Sequence, residues 1–132
     1  MSEENVEIVR RAIEAFNRRD LDAALRDLDP DAEVDWSRSR GVEAGVYRGN
    51  EAVRVFWRSF LDTFDRVAIT PDDFIEHGEQ VVVPNRGLAR GRHGIEVAAR
   101  SVAVVTLRRG RIIRWCLYQE MHDALKGVGL EE

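Results

Sequence analysis

The order of periodicities along the chain predicts an α+β domain whose helices cover one face of a curled antiparallel sheet. Three observations carry this. Apolar residues recur at three- and four-residue spacing over 6–28 and again over 50–64; from residue 80 onward they alternate with polar ones; and turn residues cluster at 91–94 and 109–110. Helices first and strands afterwards form segregated layers, and the helices must bury their apolar stripes against the sheet.

The first helix is read from Val6, Val9, Ile13 and Phe16, with Arg10, Arg11, Glu14 and Arg18 off the apolar stripe. Asp20 stands at an N-cap position ahead of Leu21, Ala24, Leu25 and Leu28, and Pro30 ends that second helix. From Ala32 to Ser37 the pattern alternates, Val34 and Trp36 against Glu33, Asp35 and Ser37, as a half-buried strand requires. Residues 37–49, with Gly41, Gly45 and Gly49, read as a loop able to form a site wall, and Tyr47 is its large aromatic. Asn50 is placed to cap a third helix whose stripe contains Val53, Phe56, Trp57, Phe60, Leu61 and Phe64.

A strand bent at Pro71 follows, at a sheet edge where a proline is tolerated. Then come three strands of an antiparallel meander, Gln80 to Ala89, Ile95 to Leu107 and Arg111 to Gln119, the last two joined by a tight turn at Arg109-Gly110. A helical turn from His122 to Lys126 and a frayed end at 130–132 complete the chain.

With 132 residues, 44% of them apolar and 33% charged, residues 1–132 form one domain with one core. A formal charge of −4 offers no field for a phosphate backbone, which argues against nucleic-acid binding. Cys116 is the sole cysteine, so neither an intramolecular disulfide nor a multi-cysteine zinc site can form. The acidic start Met1-Ser2-Glu3-Glu4 leads into an amphipathic helix, and no apolar run is long enough to span a bilayer. The expectation is a cytoplasmic protein with no membrane contact.

Strand alternation assigns the sheet faces. Ile113, Trp115, Leu117 and Gln119 should face the helices, as should Ile95, Val97, Ala99, Ser101, Ala103, Val105 and Leu107, and Val81, Val83, Asn85, Gly87 and Ala89. The centre of that face is small where a packed core would want Leu or Phe, so either the aromatics of the third helix fill the gap or a pocket exists. Asn85, Ser101 and Gln119 are then polar groups in an apolar hollow. The opposite face mixes Val82, Leu88, Val102, Val104, Cys116 and Tyr118 with Arg86, Arg100, Arg114 and Glu120. Nothing in the chain remains to cover it, so a homodimer through this outer face is expected.

The segments Asn17-Arg18-Arg19-Asp20-Leu21, 30–36 (PDAEVDW), Gly45-Val46-Tyr47-Arg48-Gly49 and Gly110-Arg111-Ile112-Ile113-Arg114, with this order of elements, resemble the SnoaL-like branch of the nuclear-transport-factor-2-like superfamily. The resemblance covers almost the whole chain. It implies a cone-shaped α+β roll, with a curved mixed or antiparallel sheet wrapped over three N-terminal helices, a deep apolar pocket and frequent dimerisation. Steroid isomerases of that superfamily use an Asp base with a Tyr and a protonated Asp as oxyanion donors. Here those positions fall on Trp36, Ala12 and Ala103, which argues against that chemistry. An Asp-Arg-Asp relay of the epoxide-hydrolase kind has no counterpart, since Arg100 lacks an acidic neighbour two residues away.

Candidate site residues follow. Trp36, Trp57, Phe60 and Trp115, with Val83 and Leu117, suit a flat apolar or aromatic ligand, although each aromatic taken singly also reads as core. Asn85, Ser101 and Gln119 would orient its polar end, and Arg38 or Tyr47 would close the mouth. Asp35 is the one acid near enough to test as a base, although alternation turns it to the opposite face. His77 and His93 lie beside glycines in turns and read as solvated, whereas His122 stands near the expected pocket rim. Neither metal-ligand spacing nor a nucleotide fingerprint is present, and no cofactor is implied. Two functions fit: a cofactor-free isomerase, cyclase, hydratase or dehydratase, or a non-catalytic ligand-binding or dimerisation module.

Overall fold

In the computed structural model, residues 2–38, 44–91 and 93–129 are described. Gly41, Arg92 and the 130–132 end lie outside the described residues. Helix α1 (Ser2–Asn17) buries Val9, Ala12, Ala15 and Phe16 along one side. It ends through Arg19, whose φ of 63° is left-handed, so that the Asp20 N–H reaches back to the Ala15 carbonyl at 2.9 Å. The Asp20 side chain in turn accepts from the Ala23 N–H at 3.2 Å and caps α2 (Leu21–Ala24).

Helix α2 is a single turn and does not run on to Leu28. Strand β1 (Leu28–Asp35) begins there and contains Pro30. Its pairing slips between Leu28 and Glu33, and an irregular stretch of this kind tolerates a residue without an N–H. The expected loop at 37–49 contains β2 (Val46–Arg48), a three-residue strand antiparallel to β1 and too short to show a period. Helix α3 (Asn50–Thr63) buries Val53, Phe56, Trp57 and Leu61. Its N-cap is Gly49, at a φ of 90° that favours glycine, so Asn50 is the first helical residue and not the cap.

The remaining elements are β3 (Arg66–Pro71), β4 (Ile75–His77), β5 (Gln80–Arg90), β6 (Glu96–Arg108), β7 (Arg111–Tyr118) and α4 (Met121–Gly127). One curved, mixed sheet has the order β2-β1-β7-β6-β5-β3, with β4 also on β5; β1 and β7 run parallel and the other pairs antiparallel. The proline-bearing β3 is an edge strand, as expected. Arg109 and Gly110 have φ of 54° and 77°, and positive φ at both central positions is what a two-residue type I′ turn demands.

Two expectations about the sheet faces are corrected. Val105 pairs with Trp115 but Leu107 with Ile112, so one extra residue of β7 bulges out. Ile112 is therefore fully buried in the main core and Ile113 only half-buried, the reverse of simple alternation. Nor is the outer face bare, because α4 folds back over it and packs Ala124 with Val82, Val102, Val104, Cys116 and Tyr118.

Side-chain size is graded along the concave face. At one end Val81, Val83, Val105 and Ile112 are fully buried beneath Val9, Val53 and Phe56. At the other end the same strands carry Gly87, Ala89, Ala99 and Ser101, opposite the C-terminal halves of α1 and α3. Two latches hold that open end together. The Asn17 carboxamide donates to the Ile69 carbonyl at 2.9 Å and accepts from the Ile69 N–H at 2.8 Å, continuing the ladder beyond β3. Arg19 donates to the carbonyls of Leu61 and Phe64, both at 2.8 Å, where the dipole of α3 favours a cation.

Candidate functional site: an apolar cone with polar groups in its wall

Between the helices and the small end of the sheet lies a cavity of about 540 Å³. Helix α1 contributes Ala12, Ile13 and Phe16 to its wall, and α3 contributes Trp57, Phe60 and Phe64. The aromatics form a connected set rather than a plug: Trp36 meets Phe56 and Phe60 edge-on at 4.8 and 5.2 Å, Phe16 meets Trp57 at 5.5 Å, and Trp57 meets Trp115 at 6.3 Å. The aromatics of α3 line the gap without filling it.

Asn85 and Ser101 are direct cross-strand partners, and both line the cavity together with Gln119. Asn85 is only 6% exposed, and its amide N–H donates to the Val83 carbonyl at 3.1 Å, leaving its Oδ1 buried without a donor. The indole Nε1–H of Trp36 is likewise buried without an acceptor. One unmatched donor and one unmatched acceptor thus sit on residues of a largely apolar wall. Such groups cost about 1–3 kcal/mol each while unpaired.

The family model of the SnoaL-like domain matches residues 9–115. The chain belongs to the SnoaL-like domain family. A protein of the nuclear-transport-factor-2-like class and unknown function from Burkholderia pseudomallei K96243 shares 27% identity, with 93% of this chain and 95% of that one covered at a TM-score of 0.79. TerC, crystallised with polyporic acid, is 21% identical over 96% of this chain and 97% of its own, also at 0.79. SalBIII, an epoxide hydrolase/cyclase-like enzyme of pyran ring formation in the polyether salinomycin, is 23% identical over 92% and 95%, at 0.77. No curated protein matches the chain.

In this SnoaL-like domain Ala12, Trp36 and Ala103, on which the resemblance to steroid isomerases was expected to put catalytic groups, all line the cavity. None carries a titratable group. Of the residues expected at the site, Trp36, Trp57, Phe60, Asn85, Ser101, Trp115, Leu117 and Gln119 line it.

The others lie elsewhere. Val83 is fully buried in the core beyond Asn85, towards the filled end of the face. Tyr47 stacks flat on Phe56 at 3.9 Å and packs against the core from behind the wall. Arg38 belongs to the opposite side of the sheet, its guanidinium 4.9 Å from the Tyr118 ring and donating to Cys116 Sγ at 3.6 Å. His77, His93 and His122 are exposed and none lines the cavity; His122 is carried by α4, which packs on the outer face.

Asp35 is also on that outer side. Its Oδ1 accepts from the Ser37 N–H at 3.0 Å and hydroxyl at 2.6 Å, while Oδ2 accepts from Arg114 at 3.1 Å and lies 3.7 Å from Arg38. Burial pushes its carboxyl up, but the Ser37 bonds and the two guanidinium groups outweigh that and hold it below the ordinary 3.8. Burial works against the charge on Arg114 too, yet Cys116, Glu33 and Asp35 raise it above its usual range. An ionised carboxylate bonded on both oxygens, on the far side of the sheet, is not placed to take a proton in the cavity.

Leu88 and Arg100, which alternation assigned to the outer face, also border the cavity. The β6–β7 pairing ends at Val102–Tyr118, so Glu96 to Ser101 pair with β5 alone among the described residues. Where β7 stops, residues of both parities border the mouth, including Leu88 and Arg100. Strand β6 has 13 residues and β7 has 8, and this difference in length creates the rim.

Proposed function

We propose that this SnoaL-like domain binds one small, flat apolar or aromatic molecule in the cone between helices and sheet. The observation that supports it best is the cavity of about 540 Å³ whose wall is apolar except for a few polar side chains, two of them with unmatched atoms. That volume suits a small-molecule site, and so does the pairing of aromatic walls with sparse polar groups. The complex of TerC with polyporic acid supports the same reading. A bound carbonyl would accept from Trp36, and a bound hydroxyl would donate to Asn85.

Among the described lining residues there is no carboxylate, imidazole or thiol. That favours binding without catalysis. If the molecule is also converted, the reaction is an isomerisation, cyclisation, hydration or dehydration, helped by desolvation and by hydrogen bonds to developing oxygen charge. SalBIII is the relative that supports this second reading.

The test is a thermal-shift screen against flat apolar metabolites and ketones. A ligand at about a hundred times its Kd should stabilise the fold by roughly 2.7 kcal/mol. The gain should vanish in Ala99→Phe, which fills the mouth, with the ligand-free melting temperature little changed. Silence across the library, or equal gains in the variant, would defeat the proposal.

Dimerisation is proposed from the part of the sheet that α4 leaves free. Ile95 and Val97 are 70% and 55% exposed, and the neighbouring stretch of β6 has one unpaired edge among the described residues. A second copy pairing the same edge about a two-fold would satisfy both. Sedimentation equilibrium should give a dimer that Val97→Asp dissociates; a wild-type monomer at micromolar concentration would reject it.

A further inference from the structure

The cavity wall is electrostatically one-sided. Arg100 is the one charged residue among the described residues that line it, and no acid faces it there. Two carboxylates of the neighbouring strands are engaged elsewhere: Asp72 accepts from Arg86, the cross-strand partner of Arg100, at 2.8 Å, and Glu96 accepts from Arg90 at 3.2 Å. Arg100 itself has no hydrogen bond or ion pair among the described residues. Arg100 borders the mouth between Ala99 and Ser101, on the stretch of β6 that pairs with β5 alone among the described residues, and the buried and unmatched Asn85 lies next to Ser101 across the ladder.

We propose that the ligand is an organic acid: an apolar, ring-bearing body inside the cone with its anionic group at the mouth on Arg100. The inference rests on the ligand-binding reading above and deepens it by giving the ligand a charge and an orientation. A guanidinium offers a carboxylate or sulfonate two parallel N–H donors, roughly twice as strong as neutral hydrogen bonds. Arg100 is exposed, so this attraction is weakened by salt, whereas burial of the apolar body is not. The arrangement selects one end-on orientation, since the anion would be unpaired and desolvated if turned inward among Trp57, Phe60 and Trp115.

The probes are 1-anilinonaphthalene-8-sulfonate and N-phenyl-1-naphthylamine, which share one aromatic skeleton and differ in the sulfonate. Both brighten on entering an apolar site, and both should be displaced from the wild type by a common competitor. The anionic probe should bind the wild type at least tenfold more tightly relative to the neutral one than it binds Arg100→Gln, and 0.5 M salt should shrink that preference. The neutral probe should bind both proteins alike. Binding of the neutral probe with no preference for the anion, or a preference that survives Arg100→Gln, would overturn the anionic assignment and leave the cavity standing. Failure of both probes to bind, or binding that Ala99→Phe does not disturb, would overturn the cavity reading and this inference with it.

Discussion

Asp35 and Trp36 are adjacent in the chain and belong to opposite sides of the sheet, and their chemistry follows from that. Trp36 presents an unmatched N–H on the cavity wall, whereas Asp35 is saturated by Ser37, Arg114 and Arg38. The position of Asp35 was legible from alternation; its saturation was not, because Arg114 comes from a strand paired in parallel nearly eighty residues away. Arg38 was expected to close the mouth, but after β1 it lies on the other side, its guanidinium over Tyr118. The lowered pKa of Asp35 makes a signed prediction. Between the ordinary 3.8 and the lower folded value the unfolded chain holds more protons, so this group's contribution is complete above that window and is lost as pH falls through it. Asp35→Asn should reduce stability at neutral pH and flatten the acid side of a urea-midpoint profile. Parallel profiles for variant and wild type would show that the carboxylate contributes nothing.

At the level of elements, the long periodic segments were readable and the short ones were not. Helices α1 and α3 and the β5–β6–β7 meander announce themselves by sustained period and by the Arg109-Gly110 turn. Helix α2 ends early because β1 recruits Leu28 onto β7, a long-range pairing that no local pattern contains. The bulge that buries Ile112 is equally silent, since a one-residue insertion inverts a strand's faces without changing its composition. Helix α4 was read as a helical turn, but its docking on Val82, Val104 and Cys116 depends on where β7 delivers it. Edge strand β3 carries Val67 and Ile69 into the cavity wall and is tied to α1 by both bonds of the Asn17 carboxamide. Asn17→Ala should cost about 1–3 kcal/mol in denaturant unfolding and speed amide exchange along β3 before the rest of the sheet. Unchanged exchange at Ile69 would mean that the latch does not hold the strand.

Across the whole molecule, the size gradient along the strands decides function. Val81, Val83, Val105 and Ile112 close one end, and Asn85, Gly87, Ala99 and Ser101 leave the other open. The run of small residues at the centre of β6 was visible in the sequence and left two outcomes; the edge-on contacts of Trp36, Phe60, Trp57 and Trp115 leave space between them and the sheet. What the pattern could not place was the rim, where β6 outruns β7 and Arg100 comes to the mouth. No helix among the described residues is long and apolar enough to cross a membrane. The measurement that bears most directly on the central claim is a crystal structure grown with the most stabilising ligand from the thermal-shift screen. The account predicts that ligand inside the cone, against Trp36 and Trp57, with a polar atom within hydrogen-bond reach of Asn85 Oδ1 or Trp36 Nε1. A cone closed by its own aromatics, with the ligand bound elsewhere, would contradict it.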